Sequence, residues 1–138
     1  MMILLYKATI LAGLSHVTAM LAGLLLIFFP VISEFEQITD SGNFTQQFQT
    51  NKTIFEALGA QGLFVIILPW ILSGVCIFSS IMAKAASNRH KTLILRWKSY
   101  SWAVSVIFTV FILISISSVG MFYIPSGVFA IASSFYNR

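Results

Sequence analysis

Three stretches of this chain carry no charged side chain: residues 8–30, residues 57–83 and residues 99–137. Nothing else in the sequence restricts the fold as much. A bilayer's hydrocarbon core is about 30 Å thick and is crossed by roughly 20 apolar helical residues. The first two stretches are each long enough for one crossing; the third is too long for one and about right for two. Within it, "SISSVG" offers Ser117, Ser118 and Gly120 as turn residues. Only 9% of the residues are charged and 58% are hydrophobic, against about 25% charged in a soluble domain, so a water-facing surface could not be covered. The expected fold is an all-α integral membrane protein, a single domain over residues 1–138. Four transmembrane helices, at about 8–30, 57–83, 99–117 and 119–136, would form an antiparallel bundle. A start of the third helix nearer Thr92, with Arg96 and Lys98 snorkelling to the headgroups, is also compatible. The first run exceeds the 7–15 apolar residues of a cleavable signal, so it is expected to remain as a helix.

The charges are sorted as completely as the apolar runs. Lys84, Arg89, Lys91, Arg96 and Lys98 lie together in segment 84–98, while the four acids, Glu34, Glu36, Asp40 and Glu56, all lie in segment 34–56. Lys and Arg are enriched in cytoplasmic loops, and that bias sets orientation. With four crossings, the amino terminus, the 84–98 loop and the carboxyl terminus share one side. That side holds Lys7, the five loop cations and Arg138, and no acid. The expectation is a multi-pass plasma-membrane protein with both termini cytoplasmic. The basic loop reads first as a topology signal. Its second reading is a docking site for anionic lipid heads or an acidic partner, at about 1 kcal/mol per near-surface cation. The net charge of +4 would point to nucleic acid only on the basic face of a soluble domain, so no nucleic-acid partner is expected.

Segment 31–56 is expected as an outer loop. Ser33 with Glu36, and Thr53 with Glu56, each fit the S/T-x-x-E capping box. The first would open a short helical turn after Pro30; the second would start the second transmembrane helix just outside the membrane. "TDSGN" between them reads as a turn. Phe44, Phe48 and Phe55 recur at near-helical spacing. They point either to a short amphipathic helix on the leaflet or to a partly ordered loop with its Phe side chains tucked inward. Asn43 in "NFT" and Asn51 in "NKT" match the N-glycosylation pattern, a short pattern that chance often supplies.

The spans hold no Asp, Glu, Lys or Arg, the residues that mark ion pathways and proton relays inside membranes. This counts against a proton-coupled carrier and against acid–base chemistry at membrane depth. His16 reads as a structural donor to a neighbouring helix, with ligation or proton relay as the alternative. A haem with two axial histidines would need a second membrane histidine, and His90 falls in the basic loop. Cys76 is the single cysteine, which allows no internal disulfide, paired redox motif or thiolate metal cluster. It reads as a packing residue, with palmitoylation or a reactive thiol as the alternative. No catalytic residue, cofactor or metal site is expected.

The positive signal is packing. Ser15, Ala19 and Gly23 are spaced by four on the first helix, as are Ala8 and Ala12. Small residues at this spacing let membrane helices approach closely. Gly59 and Gly62 stand near the start of the second helix. Ser101, Ser105 and Thr109 make a hydroxyl stripe on the third helix, and Ser126, Ala130 and Ser134 another on the fourth. Together with His16, the first and third helix residues form the candidate packing or partner face; a polar groove for substrate is the alternative. Pro69, mid-span, and Pro125, one turn into the fourth helix, are candidate kinks.

The ending "SISSVGMFYIPSGVFAIASSFYNR" and the stretch "AGLSHVTAMLAGLLLIFF" resemble a family of small four-span membrane proteins from Gram-positive bacteria, catalogued as a domain of unknown function. That family shows a Gly-rich first helix, a variable outer loop and an aromatic–Ile–Pro–small–apolar closing segment with a basic end. The first helix here is less glycine-rich. The resemblance implies a bacterial plasma-membrane protein with no catalytic residues to carry over. The expected function is a non-enzymatic accessory, stabilising or regulatory subunit of a larger membrane assembly, or an immunity-type protein. Its partners would be the lipid bilayer and another membrane protein or itself. The alternative is a small homo-oligomeric pore or carrier, motivated by the hydroxyl stripe and Pro69.

Overall fold

The computed structural model of the chain describes residues 2–39, 45–86 and 91–137. Its elements are α1 (Met2–Phe28), β1 (Ile32–Thr39), β2 (Thr45–Lys52), α2 (Ile54–Leu58), α3 (Gly62–Ala86), α4 (Lys91–Ile114) and α5 (Gly120–Tyr136). Three segments are long and apolar enough to cross a membrane: Tyr6–Phe28, Ile54–Ala86 and Thr92–Ile114. The fourth long helix, α5, has 17 residues and rises about 26 Å at 1.5 Å per residue.

The four long helices pack side by side. α1 and α4 each lie between α3 and α5, and α3 also touches α5. Neighbouring helices run antiparallel: on α1 and α5 Ser15 meets Ser126 and Ala8 meets Ser133, on α1 and α3 His16 meets Ser73 and Ala19 meets Trp70, and on α4 and α5 Ser101 meets Ser134 and Ser105 meets Ala130. The apolar core lies toward the end that carries α2, where Leu26, Ile54, Ile66, Phe108, Ile112 and Tyr123 are buried. Large apolar side chains also cover the outer surface, among them Leu21, Phe64, Leu95 and Leu113, which is the distribution a lipid solvent favours.

The outer segment departs from the expected loop and from an all-α fold. β1 and β2 pair antiparallel, with Ile32 opposite Lys52 and Thr39 opposite Thr45. Phe44 and Phe48 are four apart, a spacing shared by one helix face and by one strand face of period two. Ile, Phe and Thr in these segments favour the strand. The expected turn "TDSGN" falls largely on residues 40–44, which lie outside the described residues, as do Asn43 and Phe44. The capping box at Ser33 does not form. Ser33 sits in β1, where its hydroxyl donates to Asn51 Oδ1 at 3.1 Å and accepts from Gln49 Nε2 at 3.2 Å.

The second box forms as read. Thr53 Oγ1 accepts from the Glu56 amide at 3.4 Å, and Glu56 Oε2 accepts from the Thr53 amide at 2.7 Å. The Thr53 amide first, and then the Thr53 hydroxyl, which donates to Glu56 Oε2 at 2.9 Å, hold the Glu56 carboxyl below its ordinary pKa of 4.5, and Lys52 adds to the effect. A depressed carboxyl pKa stabilises the folded state above the unfolded pKa and loses that stabilisation as pH falls through the folded value. Thr53→Ala is therefore expected to cost about 1 kcal/mol at neutral pH, read in a denaturant titration in detergent. The penalty should shrink on acidification below the ordinary glutamate range.

Helix ends differ from the charge-free windows for one reason: cations are tolerated in the last turns of a membrane helix, where long side chains reach the headgroups. Thus α1 includes Lys7, α3 includes Lys84, and α4 begins at Lys91, next to the alternative start near Thr92 and ahead of residue 99. The expected basic loop 84–98 is mostly helical, with Arg96 and Lys98 inside α4. Arg89 and His90 lie outside the described residues. α3 continues through Pro69 and α5 through Pro125. Ahead of α3 the chain breaks from α2 at Gly59, whose φ of 55° lies in the left-handed region that glycine adopts freely.

Candidate functional site

The polar side chains of the spans gather between the helices. Ser15 Oγ donates to the Ser126 carbonyl at 2.9 Å, and Ser126 Oγ donates back to the Ser15 carbonyl at 2.6 Å. This reciprocal pair joins α1 to α5 at mid-height, and Ser15 is fully buried. One step toward the termini, Ser133 Oγ donates to the Ala8 carbonyl at 2.8 Å and meets Ser80 Oγ at 3.2 Å. Ala8 and Ala12 are fully buried, so methyl-sized side chains set this close approach, as small residues do between membrane helices.

Between α4 and α5 the hydroxyls interlock. Ser134 Oγ donates to the Ser101 carbonyl at 3.1 Å, and it lies 3.0 Å from Ser101 Oγ and 2.8 Å from Ser105 Oγ. Ser105 Oγ also reaches the Ala130 carbonyl at 3.1 Å. Thr109 departs from the expected stripe. Its hydroxyl returns to the Ser105 carbonyl of its own helix at 2.8 Å, and its side chain lines an open groove of about 250 Å³ with Ile112, Gly127 and Ile131. Cys76 is fully buried beside Ser101, Ser105 and Ser133.

The α1–α3 seam carries the histidine. His16 Nδ1 lies 2.9 Å from Ser73 Oγ, and Ser73 Oγ lies 2.8 Å from the Pro69 carbonyl. The donor of the His16–Ser73 bond follows from the histidine tautomer. Ser73 is fully buried, which denies the pair the access to substrate that a Ser–His nucleophile needs. Higher on the same seam, Trp70 Nε1 donates to the Ala19 carbonyl at 3.0 Å. Its ring covers Gly23, where a Cβ would stand 2.6 Å from Nε1.

The structure thus brings Ser15, His16, Ala19, Gly23, Ser101 and Ser105 into helix–helix contacts and leaves Thr109 half outside them. The sequence reading did not single out Ser73, Ser80, Ser133, Trp70 or Asn137. A serine four residues after a proline was the available signal for Ser73, and the Ser133–Ser134 doublet for α5's second contact line. Among the described residues, the buried atoms Ser79 Oγ, Tyr123 OH and Asn137 Oδ1 have no hydrogen-bond partner. Among the described residues, no three His, Cys, Asp or Glu side chains come together. At the terminal end, Lys7 and Lys84 lie over the rings of Tyr136 and Tyr6. Comparison of the chain with protein-family models, with curated proteins and with solved structures returns no match.

Proposed function

We propose that this chain crosses the plasma membrane four times, with α5 as the fourth span and both termini cytoplasmic, and serves without catalysis as an accessory, stabilising or regulatory subunit of a larger membrane assembly. One observation carries this reading. Ser15, Ser101, Ser105, Ser126, Ser133 and Ser134 bond to one another or to carbonyls at 2.6–3.1 Å across helix contacts, while the surface of the same helices is lined by large apolar side chains. Serines in mutual contact favour helix packing over a polar path through a single copy of the bundle. What remains for interaction is an apolar outer surface and a small hairpin. The likeness to small four-span proteins of Gram-positive bacteria is in keeping with this, as is the placing of every acid in segment 34–56.

Purification in mild detergent without crosslinker tests the proposal. A foreign subunit recovered at constant stoichiometry across independent preparations is the expected result. A stable self-oligomer that passes solute in liposomes would overturn it in favour of a pore. Orientation is read separately by cysteine labelling from outside intact cells in a Cys76→Ser background. Asn51→Cys, exposed on β2, should label, and Thr92→Cys, exposed at the start of α4, should not.

A further inference from the structure

We propose that the end of the molecule carrying Lys7 and Lys84 is a binding site for the phosphate of an anionic phospholipid, held at two lysine–tyrosine pairs that flank α1. Lys84 Nζ, in the last turn of α3, lies 5.0 Å from the centroid of the Tyr6 ring. Lys7 Nζ lies 6.0 Å from the centroid of the Tyr136 ring, in the last turn of α5. One pair sits on the α1–α3 side and the other on the α1–α5 side. A ring face attracts an ammonium through its quadrupole and narrows where it sits, but it does not neutralise the charge. Among the described residues the acidic side chain is Glu56, in α2 at the other end of the helices, so an anion from outside the chain can stand beside both ammonium groups.

The surroundings select a lipid. Tyr6 and Tyr136 are 57% and 41% exposed, so a ligand can reach both pairs, and each phenol adds a donor beside an ammonium. Directly along α1 from Lys7 run the exposed side chains Ile10, Leu14, Val17 and Leu21. A cationic head site above an apolar column matches a molecule with a phosphate at one end and acyl chains at the other; a free phosphate would use only the head site. This assignment stands whichever leaflet the termini face, and it does not depend on an accessory role.

The purified full chain in neutral detergent, offered phosphatidylglycerol and phosphatidylcholine in equal amounts, provides the test, with bound lipid counted by native mass spectrometry. Phosphatidylglycerol is expected to be retained preferentially. Lys7→Gln or Lys84→Gln should each reduce the preference about fivefold, and the double variant about thirtyfold, as follows from roughly 1 kcal/mol per near-surface cation. Lys84→Arg should keep it, and Tyr6→Leu, which leaves the net charge unchanged, should weaken it. Lys98 on α4, across the molecule from α1, is the internal control, and Lys98→Gln should leave the preference intact. Equal retention of both lipids by the parent chain would overturn the site without recourse to any variant. So would a loss in Lys98→Gln as large as in Lys84→Gln, which would show a diffuse surface potential. Displacement of the bound lipid by inorganic phosphate at the same concentration would overturn the lipid assignment.

Discussion

Gly23→Leu is expected to lower the melting temperature in detergent more than any truncation on the lipid-facing surface, while Leu25→Ala, at a position 36% exposed, changes it little. A Cβ on Gly23 would lie 2.6–2.9 Å from Nε1, Cε2 and Cζ2 of Trp70. The indole cannot swing aside freely, because Nε1 donates to the Ala19 carbonyl one turn away at 3.0 Å. Any side chain at position 23 must push the ring off that carbonyl and leave the indole N–H without its partner, while the Ala19 carbonyl keeps its bond within α1. Overpacking costs about 1–3 kcal/mol and loss of a membrane hydrogen bond about 0.6 kcal/mol, so a total of about 2–4 kcal/mol is expected. Ala19→Leu, at a fully buried position on the same seam, should behave similarly. Trp70→Leu supplies the decisive control: with the ring gone, Gly23→Ala should become nearly neutral. Equal, mild effects of Gly23→Leu and Leu25→Ala would refute the close contact.

That contact shows what a sequence can and cannot convey in such a chain. The four-residue spacing of Ser15, Ala19 and Gly23 announced a close-packed face, because small side chains at helical spacing have that geometric consequence whatever lies opposite. It did not announce Trp70. The pairing of residues 23 and 70 depends on the antiparallel register of α1 and α3, which no local pattern encodes. The same distinction separates the two capping boxes. Thr53 and Glu56 bond within one turn of chain, so their pattern sufficed. Ser33 and Glu36 carry the same pattern, but pairing of β1 with β2 fills their neighbourhood with other partners, and the local preference loses to the ladder. Helix ends were legible in part: α4 starts at Lys91, next to the Thr92 start that snorkelling of Arg96 and Lys98 allowed, whereas α1 and α3 run past the charge-free windows to include Lys7 and Lys84. The Lys7–Tyr136 pair was likewise hidden, joining near-opposite ends of the chain through the α1–α5 register.

The interior hydroxyls carry a related lesson about function. A stripe of Ser101, Ser105 and Thr109 is compatible with a polar path or with a helix contact. The choice turns on distances that sequence does not contain. Ser101 and Ser105 both lie within 3.0 Å of Ser134 Oγ, which closes the gap a path would need. Thr109 turns back to its own helix, as a threonine can wherever the carbonyl one turn earlier is within reach. Ser101 and Ser105 thus fasten α4 to α5, and Thr109 does not.

Gly120→Ala is the second substitution expected to be severe, and it tests whether α5 belongs with the other long helices. The reason is space, since Gly120 does not have a positive φ. A Cβ there would stand 2.5 Å from the Ile112 carbonyl oxygen and 2.7 Å from the Ser115 carbonyl carbon. Both are backbone atoms of the α4 end, so no rotamer change relieves the clash. The Gly120 amide also donates to the Ser115 carbonyl at 2.7 Å, so moving α5 away breaks the bond that closes the turn. The displacement would pass directly to Val119 and Tyr123, both buried, and from Tyr123 to the Phe111 ring, 6.0 Å away between centroids. A loss of about 3 kcal/mol, the upper end of the overpacking range, is expected in detergent unfolding. Gly127→Ala should be milder, because its Cβ would meet the tip of the Ile112 side chain, which can rotate, and Ile112→Val should relieve it further. Ser118→Ala, exposed in the same turn, should stay within about 0.5 kcal/mol. If Gly120→Ala proved as mild as Ser118→Ala, the α4 end and α5 start would not be in contact, and α5 would have to be held by its serine bonds alone.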